Sequence, residues 1–300
     1  MTATSAAAPH KILIAVDGSV HANRAAEYAV RYAADFERCE VILVHAQPPE
    51  TYPTASREGE EFLVEPFDSA KRASATARSL LDAAKLPYRL RIELTDPAPA
   101  IESVAQSEQA DEIIMGSRGL GQWEGLIMGS VAYRVIHRAA IPVTLVRSQS
   151  AKANATKRDV HRLLVAVDSS KAALKAVEYV CRLRVLRVPV QAEMLNVVAR
   201  LPEGYVSGAL SPEMADAYYH ERANASLRTA SEVLRAAGVP CSTHVASGRP
   251  ADHIVELGRK LECGRIVMGT RGDGSVASLL LGSTAYQVIH LSQTPVTLVR

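Results

Sequence analysis

The chain has 300 residues, 48% of them hydrophobic, and a formal net charge of +2 at pH 7. This length suggests about two domains, and the apolar fraction is sufficient for ordinary packed cores. The nearly balanced charge argues against a dedicated nucleic-acid-binding protein, and the sequence shows neither a run of about 18 apolar residues that would span a membrane nor a signal peptide.

The first half alternates short apolar runs with segments of helical periodicity. Strands are predicted, in chain order, at 12–16, 40–46, 88–94, 111–116 and 142–146. The continuous apolar run at 12–16 is typical of a strand buried on both faces, whereas 88–94 alternates. The periodic segments predict helices at 19–35, 67–85, 97–109 and 130–138. Ser19 is a candidate N-cap, and residues 47–66 are predicted to form a loop. Alternating strands and helices of this length indicate a mostly parallel sheet with helices on both faces.

The second half repeats the first. Of the 36 positions in residues 112–147, 20 are identical in residues 265–300. A repeat of this length indicates a duplicated domain, since solenoid repeats are much shorter. The boundaries that follow are a disordered lead-in at 1–10, domains at 11–147 and 161–300, and a polar linker at 148–160.

The cysteines argue against disulfide and metal chemistry. Cys39, Cys181, Cys241 and Cys263 form no CxxC pair, and none lies near a histidine at metal-ligand spacing. We therefore predict free thiols in a cytoplasmic protein that has no metal site.

One glycine-rich motif, G-x2-G-x9-G-S, occurs in both halves, at residues 116–130 and 269–283. Each copy begins where a strand ends and finishes where a helix begins. Glycines permit positive φ and a close approach of the backbone to a ligand, and the free N–H groups of the following helix attract an anion. Arg118 and Arg271 lie inside the loops, within reach of a phosphate. The motif is not a Walker-type phosphate loop, because that sequence is absent from the chain.

Two pairs of polar residues have alternative interpretations. Ser130 and Ser283 stand at the helix starts, where each hydroxyl could bind phosphate or simply cap the helix. Asp17 and Asp168 end the first strand of each half, where a carboxylate could bind ribose or adenine, or act as an N-cap or turn residue.

The strand-end aspartate, the glycine-rich loop and the closing strand PVTLV together resemble the universal stress protein family, and the likeness extends over nearly the whole chain, twice. The resemblance implies a five-stranded Rossmann-like sheet in each half, ATP binding, and pairing through the last strand. It implies phosphate contacts from Gly116, Gly119, Gly129 and Ser130, and from Gly269, Gly272, Gly282 and Ser283. It also assigns the ribose–adenine end to Asp17 and Asp168, and adenine contacts to the backbone at Ala46 and Val197.

The two halves differ at the start of the third helix, where the family often has G-x-P. The second half keeps this pattern as Gly248-Arg249-Pro250, whereas the first half reads Thr95-Asp96-Pro97. A side chain therefore replaces glycine near the expected mouth of the first site. Small residues elsewhere, Ala15 and Ala166, would leave room for a ring.

The full predicted nucleotide-binding set consists of Ala15, Asp17, Ala46, Gly116, Ser117, Arg118, Gly119, Gly129, Ser130, Val131, Ala166, Asp168, Val197, Gly248, Gly269, Thr270, Arg271, Gly272, Gly282, Ser283 and Thr284. We predict an ATP-binding stress-response or regulatory protein with one site per domain, with or without Mg²⁺. A slow ATPase or other nucleotide-using enzyme, and a nucleotide-free interaction scaffold, stay open as alternatives. The expected assembly is an intrachain pseudo-dimer or a homodimer, without nucleic-acid or membrane partners.

Overall fold

The computed structural model describes residues 8–48, 54–57, 60–63, 66–119, 128–147, 160–198, 212–272 and 281–300. Contacts divide the chain into two compact units, Met1–Ala151 and Lys152–Arg300. This division falls within the segment that the sequence predicts as the linker.

The first unit alternates strands and helices. Its strands are β1 (His10–Ala15), β2 (Cys39–Ala46), β3 (Thr54–Arg57), β4 (Glu60–Leu63), β5 (Tyr88–Glu93), β6 (Glu112–Gly116) and β7 (Val143–Val146). Its helices are α1 (Val20–Ala33), α2 (Pro66–Ala83), α3 (Pro97–Ser107) and α4 (Ser130–Arg138). Strand β1 begins at His10, one residue inside the predicted lead-in.

Five of these strands form a parallel sheet, as predicted. Strand β1 pairs with β2 on one side and with β6 on the other, while β5 extends the sheet beyond β2 and β7 extends it beyond β6. The chain therefore builds the sheet outward from β1 in one direction and then in the other. Right-handed crossovers in opposite directions place helices on opposite faces, and α1 accordingly packs with α2 and α3 with α4.

The second unit has the same order of elements. Its strands are β8 (His161–Ala166), β9 (Val190–Val198), β10 (Cys241–Ser247), β11 (Arg265–Gly269) and β12 (Val296–Val299), and its helices are α5 (Lys171–Val185), α6 (Pro212–Ala236), α7 (Pro250–Lys260) and α8 (Ser283–Leu291). Strand β8 pairs with β9 and β11, and the outer strands are β10 and β12. The fold class predicted from the sequence is confirmed.

The predicted loop at 47–66 is wrong in part, because β3 and β4 pair there as an antiparallel hairpin. The sequences TASR and EEFL have no regular alternation of apolar and polar residues, so neither carries the periodic signal on which strand prediction depends.

Local sequence explains where the helices begin. The hydroxyl of Ser19 accepts a hydrogen bond from the N–H of Ala22 at 3.1 Å, which confirms it as the N-cap of α1. Ser170 caps α5 in the same way. Helices α3 and α7 begin instead with Pro97 and Pro250, whose fixed φ suits the first helical position.

Alanines on α1 and isoleucines on β1 build the core that positions the first unit's loops. Ile12 and Ile14 are fully buried, and so are Ala25 and Ala29 on the facing side of α1. Small residues on the helix let it approach the sheet closely. As a result, the first turn of α1 comes to lie directly against the end of β6.

Candidate functional site

The carboxyl ends of β1, β2 and β6 border a cavity of about 390 Å³ in the first unit. Because the sheet grows from β1 in both directions, this edge is its topological switch point, where open α/β sheets bind ligands. Nine predicted residues line the cavity: Ala15, Asp17, Ala46, Gly116, Arg118, Gly119, Gly129, Ser130 and Val131.

Sequence reasoning missed the apolar part of this lining, which consists of Val16, Ala22, Val44, Pro97, Ile101, Met115, Met128 and Ala132. Most of these residues occupy strand ends or first helical turns adjacent to the predicted set. Their position next to predicted residues was the available signal, but a buried apolar residue at a strand end looks like any other core residue.

Ser117 is predicted to belong to the site but does not line the cavity. It is buried, and its hydroxyl has no hydrogen-bond partner among the residues that the structure describes. Its backbone instead fastens the loop, since its N–H donates to Val146 O at 2.9 Å and its carbonyl accepts from Gly129 N at 2.8 Å. Ser117 therefore holds the two ends of the loop together.

Gly116 and Gly119 are glycines for different reasons. A Cβ at Gly116 would lie 2.7 Å from the carbonyl carbon of His21 and 2.9 Å from the nitrogen of Ala22, both in the first turn of α1. A Cβ at Gly119 would lie 2.6 Å from Oδ2 of Asp17. The first glycine is required by helix packing, and the second by the carboxylate that borders the cavity.

The described glycines of the two loops do not use the positive φ that glycine permits. The glycines with positive φ among the described residues are Gly18, Gly238 and Gly248, all outside the loops, and of these Gly248 belongs to the predicted site. Four of the described loop glycines, Gly116, Gly119, Gly269 and Gly272, instead share a neighbour less than 3.0 Å from where a Cβ would lie. The backbone itself is ordinary, and the missing side chain is the requirement.

The N-cap alternative for Ser130 is wrong, and the same holds for Ser283. The N-caps of α4 and α8 are Gly129 and Gly282, and neither helix has a side-chain cap hydrogen bond. Each serine is the first helical residue and is exposed. Ser130 borders the cavity, as does the first turn of α4, whose N–H groups have no partner within the helix.

Asp17 combines a turn role with a position on the cavity wall. Its Oδ1 accepts the N–H of Ser19 at 2.9 Å, and its Oδ2 faces Gly119. The N-cap alternative for this residue is wrong because Ser19 occupies that position. The hydrogen bond to Ser19 fixes the carboxylate, which leaves Oδ2 directed toward the glycine-rich loop.

Basic side chains gather beside the start of this loop. Burial lowers the pKa of His21, and the positive charges of Arg118 and Arg147 lower it further, whereas Asp17 opposes the change. Burial and then Arg118 also lower the pKa of Arg147. Such mutual repulsion means that an anion placed among these groups would be stabilised.

The second unit reproduces the loop geometry. A Cβ at Gly272 would lie 2.6 Å from Asp168 Oδ2, and Asp168 Oδ1 accepts the N–H of Ser170 at 2.9 Å. The N–H of Gly282 donates to Thr270 O at 2.8 Å, matching the bond that closes the first loop. Gly269 lies against the first turn of α5, where its Cβ would meet Ala172 Cβ at 2.6 Å.

The remaining predicted residues of the second unit occupy comparable positions. Ala166 and Val197 are half-buried near the ends of β8 and β9, and Thr284 is the second residue of α8. The carbonyl of Arg271 accepts the hydroxyl of Ser170 at 3.3 Å, which ties the loop to the start of α5.

Local backbone conformation and packing explain why residue 248 is glycine. Its φ is +140°, and a Cβ there would lie 2.9 Å from Nε2 of His253 on α7. Thr95, at the equivalent position, is exposed, and its φ is not positive. Thr95 is also absent from the described cavity lining, so its side chain does not occupy the first cavity.

Within the described ranges, no group of three or more His, Cys, Asp or Glu side chains is placed to hold a metal ion. The four cysteines form no disulfide within the part of the chain that the structure describes. A search of the helices in those ranges finds none that combines the length and apolarity needed to cross a membrane.

Comparison with known proteins identifies relatives over the full length of the chain. The sequence-family model described as the universal stress protein family matches residues 9–147 and, separately, residues 159–300. A universal stress protein of Mycobacterium tuberculosis is 27% identical over 309 residues, covering 97% of each chain. A shorter one from Thermus aquaticus is 38% identical over 141 residues, covering 45% of this chain and 97% of its own.

The fold also matches a solved structure of the same family. The crystal structure of a universal stress protein from Archaeoglobus fulgidus has a TM-score of 0.65 at 23% identity, and the match covers 97% of this chain and 98% of that one.

Proposed function

The chain belongs to the universal stress protein family with two tandem domains, and we propose that each domain binds one ATP molecule at the carboxyl edge of its sheet. The observation that carries the proposal is the first-unit cavity, which combines an apolar wall with a polar end. Its volume of about 390 Å³ falls in the range of roughly 300–1,000 Å³ that is usual for small-molecule sites.

The apolar wall suits the adenine ring. Val44, Ile101 and Met115 contribute hydrophobic surface, while Ala15 and Ala46 are short enough to leave space at the strand ends. Burying the ring against such surface is favourable at about 25 cal/mol per Å² of apolar area removed from water.

The polar end suits the phosphates. The first turn of α4 presents backbone N–H groups around Ser130 and Val131, and the helix dipole adds partial positive charge there. Arg118 lies on the same lining, and the Ser130 hydroxyl is not used for capping. Asp17, whose Oδ2 is directed toward the loop, would accept hydrogen bonds from ribose hydroxyls.

The second domain supports an equivalent site because the same two contacts recur. Gly272 faces Asp168 as Gly119 faces Asp17, and Gly282 closes its loop as Gly129 does. We propose that nucleotide occupancy regulates the protein in a stress response. Pairing of the two domains as a pseudo-dimer, homodimer formation and a role for Mg²⁺ stay predictions.

The test is calorimetric titration of ATP into protein that has been stripped of ligand, with and without Mg²⁺. We expect two sites per chain. Zero stoichiometry with a native circular dichroism spectrum would contradict nucleotide binding and favour the scaffold alternative. Hydrolysis faster than about 1 per second, a typical enzyme rate, would favour the enzyme alternative.

A further inference from the structure

Two ion pairs connect α3 and α4 in the first domain. Asp96, the N-cap of α3, forms a two-pronged pair with Arg134 of α4, in which Nη1 donates to Oδ2 and Nη2 donates to Oδ1, the latter at 2.8 Å. One turn further along, Nε of Arg138 donates to Oε2 of Glu102 at 2.6 Å. We call these four residues the α3–α4 clamp.

The same two helices both contribute to the lining of the first cavity. Pro97 and Ile101 of α3 belong to it, and so do Ser130 and Val131 of α4. Asp96 directly precedes Pro97 along the chain, and Arg134 lies one turn after Ser130. The clamp therefore ties the part of α3 that lines the cavity to the start of α4, where the proposed phosphate contacts lie.

The second domain lacks these partners. Its repeat places Arg249 and Gln287 at the positions of Asp96 and Arg134. Val255 and Leu291 stand at the positions of Glu102 and Arg138. None of these pairs can form an ion pair, although α7 and α8 pack together as α3 and α4 do. The two sites therefore share their loop and differ in how their walls are joined.

We propose that the α3–α4 clamp makes nucleotide exchange slower in the first domain than in the second. This inference rests on the proposed nucleotide binding. A nucleotide that contacts both α3 and α4 would leave more readily if the two helices moved apart, and the ion pairs oppose that movement. The four residues are positioning residues, since none of them lines the cavity within the described ranges.

The expected change in the dissociation rate follows from the solvent exposure of the two ion pairs. The Arg134 and Asp96 side chains are 42% and 43% exposed, so solvent screens them substantially. The two-pronged geometry and the second pair place the stabilisation by the clamp toward the upper part of the range of free energies measured for surface ion pairs. Removing Arg134 should accelerate dissociation by about threefold to tenfold.

The experiment follows release of a fluorescent N-methylanthraniloyl-ATP when the loaded full-length protein is mixed with excess ATP. The parent should show two phases, and the phase that Gly119→Ala accelerates or removes belongs to the first domain. Arg134→Gln, which copies the second-domain residue, should accelerate that phase alone. The charge-swapped pair Asp96→Arg with Arg134→Asp should restore it.

A matched gain-of-function variant uses the second domain. Arg249→Asp with Gln287→Arg installs the pair there and should slow the other phase by a similar factor, while Arg249→Asp alone should not. Increasing salt screens the ion pairs and should therefore reduce the slowing of nucleotide release that they cause in both domains. Equal melting temperatures of the apo proteins would separate this effect from general stability.

The outcomes separate the clamp from the binding proposal. If the parent binds nucleotide but Arg134→Gln leaves both phases unchanged, or if the swapped pair does not restore the rate, the clamp has no role in exchange. If the natively folded parent releases no nucleotide because none binds, the proposed function fails, and the clamp proposal fails with it.

Discussion

Replacing Gly116 or Gly119 by alanine should distinguish a glycine that the fold requires from one that the binding site requires. A Cβ at Gly116 would meet backbone atoms of α1 at 2.7 and 2.9 Å, and these atoms cannot yield without moving the helix. Overpacking of this kind costs about 1–3 kcal/mol, and rigid backbone neighbours favour the upper part of that range. At roughly 2–4 °C per kcal/mol for a domain of this size, Gly116→Ala should lower the apo melting temperature by several degrees.

Gly119→Ala should instead weaken ATP binding more than it lowers the stability of the apo protein. Its Cβ would lie 2.6 Å from Asp17 Oδ2, which is the end of a side chain and can rotate away. The rotation sacrifices the bond between Asp17 Oδ1 and the N–H of Ser19, which is worth about 1.5 kcal/mol at most for a carboxylate that is only half-buried. Losing the ribose contact of Asp17 should weaken ATP binding by roughly tenfold or more.

The assay combines melting of the apo protein, followed by circular dichroism, with calorimetric titration of ATP. Gly269→Ala and Gly272→Ala provide the same comparison in the second domain, because their Cβ neighbours are α5 and Asp168. The reasoning is refuted if Gly119→Ala destabilises the apo protein as much as Gly116→Ala does while binding ATP like the parent.

Three further predictions concern single groups. Ser130 and Ser283 do not cap their helices, so replacing both by alanine should change the stability of the apo protein by less than about 0.5 kcal/mol. The same double substitution should weaken ATP binding roughly tenfold to a hundredfold. Urea unfolding and calorimetric titration test these two expectations, and an unchanged affinity for ATP would contradict the second. Burial lowers the pKa of His21 below its ordinary 6.5, so the folded state disfavours the charged form and stability is lost as the pH falls below about 6.5. His21→Ala should flatten this loss in urea unfolding between pH 5 and 8, and a slope identical to that of the parent would refute the assignment. Burial, and then nearby carboxylates, raise the pKa of Cys39 to about 12, so its thiol should resist alkylation at pH 8 until the protein unfolds; native-state labelling located by peptide mass spectrometry would contradict this.

Some features follow from the sequence because local signals specify them. The apolar runs and periodic segments indicate strands and helices, Ser19 specifies the start of α1, and the duplicated order of elements indicates two parallel-sheet domains. The motif at residues 116–130 also identifies the sheet edge that carries the candidate site, since a loop between a strand end and a helix start must lie there.

Other features arise only when segments distant in the chain meet. The spacing of the motif does not distinguish Gly116, which accommodates α1, from Gly119, which accommodates Asp17. Nor does it indicate that Asp96 faces Arg134, 38 residues away. Periodicity and capping act within a few residues, whereas the space around a Cβ and the partner of a charge depend on packing between elements. The sequence alone therefore identifies the loop, while tertiary packing determines why each glycine is needed and how the cavity walls are joined.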